Sequence, residues 1–133
     1  MDAQQKYEHW LDIAQYDLET AKSMLSSGRW LYVVFMCQQA VEKLSKGLYT
    51  LYVDDNIPRI HNIKTIIEYF DNKLSTMIPK ETNDFFDTLS AYYLNNRYPD
   101  FVSKLSSQIK EAEATKILSQ TEEVFSWLLT LKP

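Results

Sequence analysis

An all-α fold, an up-and-down antiparallel bundle of about five helices, follows from three features of the amino-acid sequence. Apolar residues recur at three- and four-residue spacing over long stretches, the period of one helix face. The chain of 133 residues contains only two glycines and four prolines, whereas sheets built from hairpins need frequent turn punctuation. An apolar fraction of 45% with 14% aromatics suits a packed core rather than a disordered tail. A chain of this length buries about two thirds of its unfolded surface, and no repeat, low-complexity tract or long linker divides it. One domain over residues 1–133 is expected.

The spacing predicts a first helix from about Gln4 to Ser26, with Tyr7, Trp10, Leu11, Ala14, Leu18, Ala21 and Leu25 on one stripe. "SSG" ends it, with Gly28 placed for a left-handed cap. A second helix, about Arg29 to Tyr52, turns Val33, Cys37, Ala40, Val41, Leu44, Leu48 and Leu51 inward. "VDDNIPRIH" breaks the pattern. A third, short helix covers about Asn62 to Lys73, with Ile63, Ile66, Ile67 and Phe70 inward, and Pro79 separates it from a fourth near Glu81–Asn95. That fourth helix carries Phe85, Phe86, Leu89, Tyr92 and Tyr93 and stops at "NNRYPD", where Pro99 lacks an N–H and disfavours helical geometry at Tyr98. A fifth helix over roughly Ser107–Leu131 presents Ile109, Ile117, Val124, Phe125, Leu128 and Leu131. Long helices with short connections stack as antiparallel neighbours.

Several chemistries are excluded. With Gly28 and Gly47 as its only glycines, the chain can write neither a dinucleotide fingerprint nor a P-loop. Cys37, His9 and His61 are too few and too scattered for a structural zinc site, and no Glu is followed three residues later by His. No metal or other cofactor is expected. Cys37 lies on the apolar stripe and reads as a small buried hydrophobe. Being the single cysteine, it forbids an internal disulfide and points to the cytoplasm. "DAQQKYEHW" has neither a basic n-region nor an apolar h-region, so no secretory signal is expected, and no apolar run is long enough to span a membrane. A net charge of -4 argues against a duplex-DNA footprint, although a local basic patch remains able to bind a nucleotide.

Two stretches carry candidate function. "CQQAVEKLSKGLYT" runs from Cys37 to Thr50 and sets Gln39, Glu42, Lys43 and Lys46 opposite the apolar stripe. One reading is a solvated face. The other is a face covered by a partner, another helix or a ligand. Tyr32, Phe35 and Tyr49 lie among those charges, and Gly47 weakens the helix as though something approached its backbone. "LNNRYPDF" is the second stretch. Arg97 there either complements a helix C-terminus or, with Tyr98 and Asp100, holds a phosphate and a base or ribose. His61 in "RIHNIKTI" either ends a loop or lines the same cleft.

"DIAQYDLETAKSML", "RWLYVVFMCQQAVEKLSKGLY", "IHNIKTII" and "YYLNNRYPD" together resemble the HEPN domain, the nucleotide-binding module of higher eukaryotes and prokaryotes, over about residues 7–130. The resemblance implies a helical bundle that dimerises and that is often paired with a small nucleotidyltransferase in toxin–antitoxin or defence systems. Many such domains are metal-independent ribonucleases that set an arginine and a closely following histidine across a dimer cleft. At the matching positions after Arg97 stand Val102, Ser103 and Lys104, none of which replaces an imidazole near neutral pH. The chain therefore resembles a non-catalytic RYPD-type branch. Its expected nucleotide contacts are Arg97, Tyr98, Asp100, Lys43, Lys46 and His61, and its expected homodimer interface is Tyr32, Phe35, Tyr49 and Tyr93. The alternatives are a ribonuclease toxin with a rearranged site in which His61 supplies the imidazole, or a purely structural helical adapter. The partners expected are a second copy, a nucleotidyltransferase, and a nucleotide or RNA, with no membrane and no duplex DNA.

Overall fold

The computed structural model describes residues 1–93 and 99–133, with the side chains of residues 99, 101, 102 and 105 left aside. Its regular elements are all helical, and no strand occurs among the described residues. The helices are α1 (Ala3–Ser26), α2 (Trp30–Tyr52), α3 (Ile63–Glu68), α4 (Lys80–Ser90), α5 (Pro99–Gln108) and α6 (Glu111–Leu129), with a 3-10 turn over Asp71–Lys73. No helix among the described residues is long and apolar enough to cross a membrane.

α1 begins in a reciprocal cap: the Gln5 amide N–H donates to Asp2 Oδ1 at 2.8 Å and the Asp2 amide N–H to Gln5 Oε1 at 2.9 Å. It ends as the sequence predicts. Gly28 takes φ 75°, and the amides of Arg29 and Gly28 donate to the carbonyls of Met24 and Leu25 at 2.9 and 3.2 Å. Those two bonds close the helix end and turn the chain straight back into α2.

α2 is the axis of the molecule, packing against α1, α3, α4, α5 and α6. Of its predicted inner face, Val33, Cys37, Ala40, Val41, Leu44 and Leu48 are buried and Leu51 is half-buried. Also buried are Ser45 and Thr50, whose hydroxyls satisfy themselves on the carbonyls of Val41 and Gly47 at 2.8 and 2.6 Å. The inward residues predicted for α3, Ile63, Ile66 and Ile67, are buried, as are Phe70, Phe85, Phe86 and Leu89.

Three boundaries differ from those read in the sequence. α3 stops at Glu68 rather than near Lys73, because Phe70 adopts φ -136°, ψ 4°; its ring then stacks on Tyr52 at 5.4 Å with an interplanar angle of 4°. α4 stops at Ser90, with Ala91 as its cap. The expected fifth helix is α6 and begins later than about Ser107, while α5 fills a stretch for which no helix was expected. Lys110 is extended at φ -116°, ψ 176°, and α6 starts with Glu111 and Glu113 in its first turn, where carboxylates complement the partial positive charge of a helix N-terminus. Pro99 opens α5, a first-turn position that tolerates a missing N–H.

Gly47 marks a close approach of α1 to α2. A Cβ built there would lie 3.0 Å from Trp10 Cβ, 3.3 Å from Tyr7 Cδ2 and 3.6 Å from the Tyr7 carbonyl oxygen. Trp10 Cβ and the Tyr7 carbonyl are fixed parts of α1, so the helix itself has to give way. Gly47→Ala returns up to about 1 kcal/mol of helix propensity, whereas overpacking costs about 1–3 kcal/mol. A net loss on the order of 1 kcal/mol is expected, read as a lower urea midpoint at unchanged slope. A raised midpoint would show that α1 steps aside freely.

Candidate functional site

The polar residues of α2 divide into two stripes. Gln38, Glu42 and Lys46 follow one another at four-residue intervals and are 0%, 1% and 8% exposed. Gln39 and Lys43 flank them and are half-buried. Of the two readings of this band, the solvated face does not hold for Glu42 and Lys46. Their side of α2 is covered by the chain that leaves it and returns as α3.

Burying a carboxylate is costly unless it is paired and hydrogen-bonded. Glu42 is both. Gln38 Nε2 donates to Oε1 at 2.8 Å and Lys46 Nζ to Oε2 at 3.1 Å, while His61 Nδ1 lies 3.2 Å from each oxygen. The same Gln38 amide nitrogen reaches the His61 carbonyl oxygen at 3.2 Å, so α2 grips both the backbone and the ring of His61. The network continues outward: Gln39 Nε2 donates to Gln38 Oε1 at 2.7 Å, and Lys43 Nζ donates to Gln39 Oε1 at 2.8 Å. Lys43 also faces Asp17 Oδ2 of α1 at 3.8 Å. Burial raises the Asp17 carboxyl above its ordinary range, Lys43 draws it back, and Glu42 adds to the rise.

His61 is held from further sides. Asn62 Oδ1 caps α3 by accepting from the Thr65 amide at 3.0 Å, and the Ile63 amide donates to Ser90 Oγ of α4 at 3.1 Å. The imidazole lies flat on Tyr93, with centroids 3.8 Å apart and planes within 11°. Tyr93 in turn lies 6.3 Å from Phe35. Although so constrained, the His61 side chain is 45% exposed. The arrangement is a half-open aromatic surface whose edge is fixed by a buried carboxylate.

The other residues singled out in the sequence fall as follows. Lys46 is an internal counter-ion and Lys43 is engaged with Gln39 and Asp17, so neither ammonium stands free for a phosphate as expected. Asp100 is exposed in the first turn of α5. Arg97 and Tyr98 lie outside the described residues. Of the expected interface aromatics, Tyr32 is 49% exposed and Phe35 and Tyr93 are half-buried. Tyr49 is a correction. It is 5% exposed and meets Tyr69 edge-on at 5.7 Å, because it shares the covered side of α2 with Glu42, two turns away. Cys37 is buried, and burial pushes its thiol up to about 12 against a smaller lowering by Thr121, which removes it as a nucleophile at neutral pH. Among the described residues no three His, Cys, Asp or Glu side chains gather to hold a metal ion.

Sequence reading missed Gln38 and Asp17. A signal for Gln38 was available: α2 carries large apolar residues in every direction, the pattern of a helix covered all round. Polar residues in such a helix must partner each other.

The network also sets a stability expectation. Glu42→Ala strands the Lys46 ammonium and the Gln38 amide in a buried site, a loss on the order of 3 kcal/mol in urea unfolding. Removing both charges as Glu42→Met/Lys46→Met is expected to recover much of it, since no unpaired ion remains. A double variant no better than the single one would show that Lys46 is solvated without its partner.

The similarities of the chain to known proteins cover nearly all of it. The family model described as the HEPN domain matches residues 7–131. The fold is similar to the crystal structure of TT1696 from Thermus thermophilus, with a TM-score of 0.80 and 22% identity over 94% of this chain and 97% of that one. It is also similar to ST0689, an archaeal HEPN homologue, with a TM-score of 0.74 and 24% identity over 96% of this chain and 98% of that one. At these identities the two structures speak for the fold alone. No curated protein matches the chain significantly.

Proposed function

The chain belongs to the HEPN domain family, and from that premise we propose that it is a cytoplasmic nucleotide-binding and interaction module rather than a nuclease. In this reading it works as a homodimer with a small nucleotidyltransferase, in a toxin–antitoxin or defence setting. The observation that carries the reading is the His61–Tyr93 surface. It is half-open, pre-set by Glu42, and Tyr93 precedes Arg97 by only four residues in the sequence. Arg97 supplies a planar fork of donors for phosphate oxygens, and Tyr98 and Asp100 stand beside it in the chain. Val102, Ser103 and Lys104 offer no imidazole at the spacing that the family's ribonucleases use.

One observation favours a second reading. A carboxylate at 3.2 Å from Nδ1 is how a general-base histidine is oriented, so a ribonuclease that uses His61 is the enzyme alternative. The two readings separate in one set of assays. Purified protein is expected to bind nucleoside triphosphates and to leave single-stranded RNA intact without metal. Arg97→Ala is expected to weaken triphosphate binding by about thirtyfold, the loss of a charge-assisted contact of about 2 kcal/mol. Equal affinities would remove Arg97 from the site. RNA cleavage abolished by His61→Ala would replace the module with the enzyme.

The dimer has its own support in the outward ring of Tyr32 and the half-covered ring of Phe35 on α2. Aromatic rings of this kind bury about 150–250 Å² each, and a two-fold axis uses every contact twice. Sedimentation at micromolar concentration is expected to give a dimer for the wild type and a monomer for Tyr32→Glu/Phe35→Glu. A wild-type monomer, or a dimer indifferent to both changes, would make this face ordinary surface.

A further inference from the structure

We infer that His61 is the nucleobase contact, its open face taking a planar heteroaromatic ring in continuation of the His61–Tyr93 stack. The inference rests on the nucleotide-binding reading above and adds which side chain meets the base and how.

The geometry leaves His61 few open sides. Tyr93 covers one face of the imidazole at 3.8 Å and 11°, and the Nδ1 edge abuts both Glu42 oxygens at 3.2 Å. The side chain is nevertheless 45% exposed, and the opposite face and the Nε2–Cε1 edge are the sides that these contacts leave to a ligand. Since both partners of Nδ1 are carboxylate oxygens, Nδ1 carries the proton of that contact, and Nε2 lies at the open edge.

Rigidity sets this ring apart from an ordinary surface histidine. Its carboxylate partner is held by Lys46 and Gln38, its backbone carbonyl by Gln38, and the residues that follow by the Thr65 amide and Ser90. A flat ring fixed before the ligand arrives loses little freedom on binding. Charge balance does not explain the arrangement, because Lys46 already neutralises Glu42. Fixing a half-exposed imidazole costs side-chain entropy, and a stacking platform is the use that its shape supports. Stacking accepts every base, because each has a π-face, and the larger face of a purine covers more of the ring.

The test is calorimetry on the full chain with three probes: ATP, UTP and inorganic tripolyphosphate. The wild type is expected to bind ATP about tenfold more tightly than tripolyphosphate, the lower range of base–aromatic stacking, with UTP between them. His61→Ala is expected to bring ATP down to the level of tripolyphosphate, whereas His61→Phe, which keeps a flat face, retains most of the preference. Circular dichroism and urea midpoints check that each variant is folded. A wild type that binds ATP and tripolyphosphate equally, or an ATP preference that survives His61→Ala, overturns the inference and leaves the nucleotide-binding reading standing. So does a folded His61→Phe that behaves as His61→Ala. If neither ATP nor tripolyphosphate binds, the nucleotide-binding reading itself falls and this inference falls with it.

Discussion

The ion pair between Glu42 and Lys46 is the constraint around which the molecule is arranged. Both charges lie inside the bundle on the helix that every other helix touches. An uncompensated charge there is far more costly than any local helix preference. The pair alone leaves part of the carboxylate's accepting capacity open, and Gln38 and His61 fill it. The α2–α3 connection returns over α2 and sets His61 against the carboxylate. A segment that reads in the sequence as a loop of Asp, Asn and Pro ends in the residue that meets a buried carboxylate, and α3 starts just after it.

Each donor in the network also dictates the next. Lys43 can only donate, so Gln39 must turn its oxygen to Lys43 and its NH₂ to Gln38. Gln38 then has to present its oxygen to Gln39, which aims its own NH₂ at Glu42 and the His61 carbonyl. Both amide orientations follow from the lysine at one end and the carboxylate at the other. Polarity thus runs one way along the stripe, from Lys43 beside Asp17 of α1 to Glu42 beneath His61. A fully satisfied polar chain of this kind specifies a single packing, and it ties the position of α1 to that of the half-open ring.

Much of the fold is legible in the sequence because helix periodicity is a local property. The stripe on α1, the Gly28 cap and the inward Ile63, Ile66 and Ile67 need only neighbours in sequence. Several of the failures are tertiary. α3 ends early so that Phe70 can stack on Tyr52, a contact between residues far apart in the chain. The break at Lys110 has no Gly or Pro to announce it. A wheel drawn for α2 assumes one wet side, and Glu42, Lys46 and Tyr49 look exposed on it for that reason. Gly47 holds the clearest warning: a residue that weakens a helix is kept where another backbone comes close, and the visitor is α1. His61 stands out in the sequence, but its carboxylate partner reads there as part of a polar band, since nothing local says that residues 42 and 61 meet.

Burial and exposure meet at one side chain, and that is how the fold and the candidate site are joined. The Nδ1 edge of His61 belongs to the interior, where it completes the shell of Glu42; the rest of the ring belongs to the surface. A residue placed this way transmits the order of the core to a point accessible to ligand without a loop having to order on binding. The cost is that the two roles cannot be varied independently through Glu42, because removing the carboxylate disturbs the core and frees the ring together. They separate at the ring itself. An aromatic replacement at position 61 gives up the contact with Glu42 while keeping a flat face on Tyr93, and Lys46 and Gln38 still hold the carboxylate. The interior is thus built with one more partner for Glu42 than its charge requires, and that surplus partner is the one that faces out.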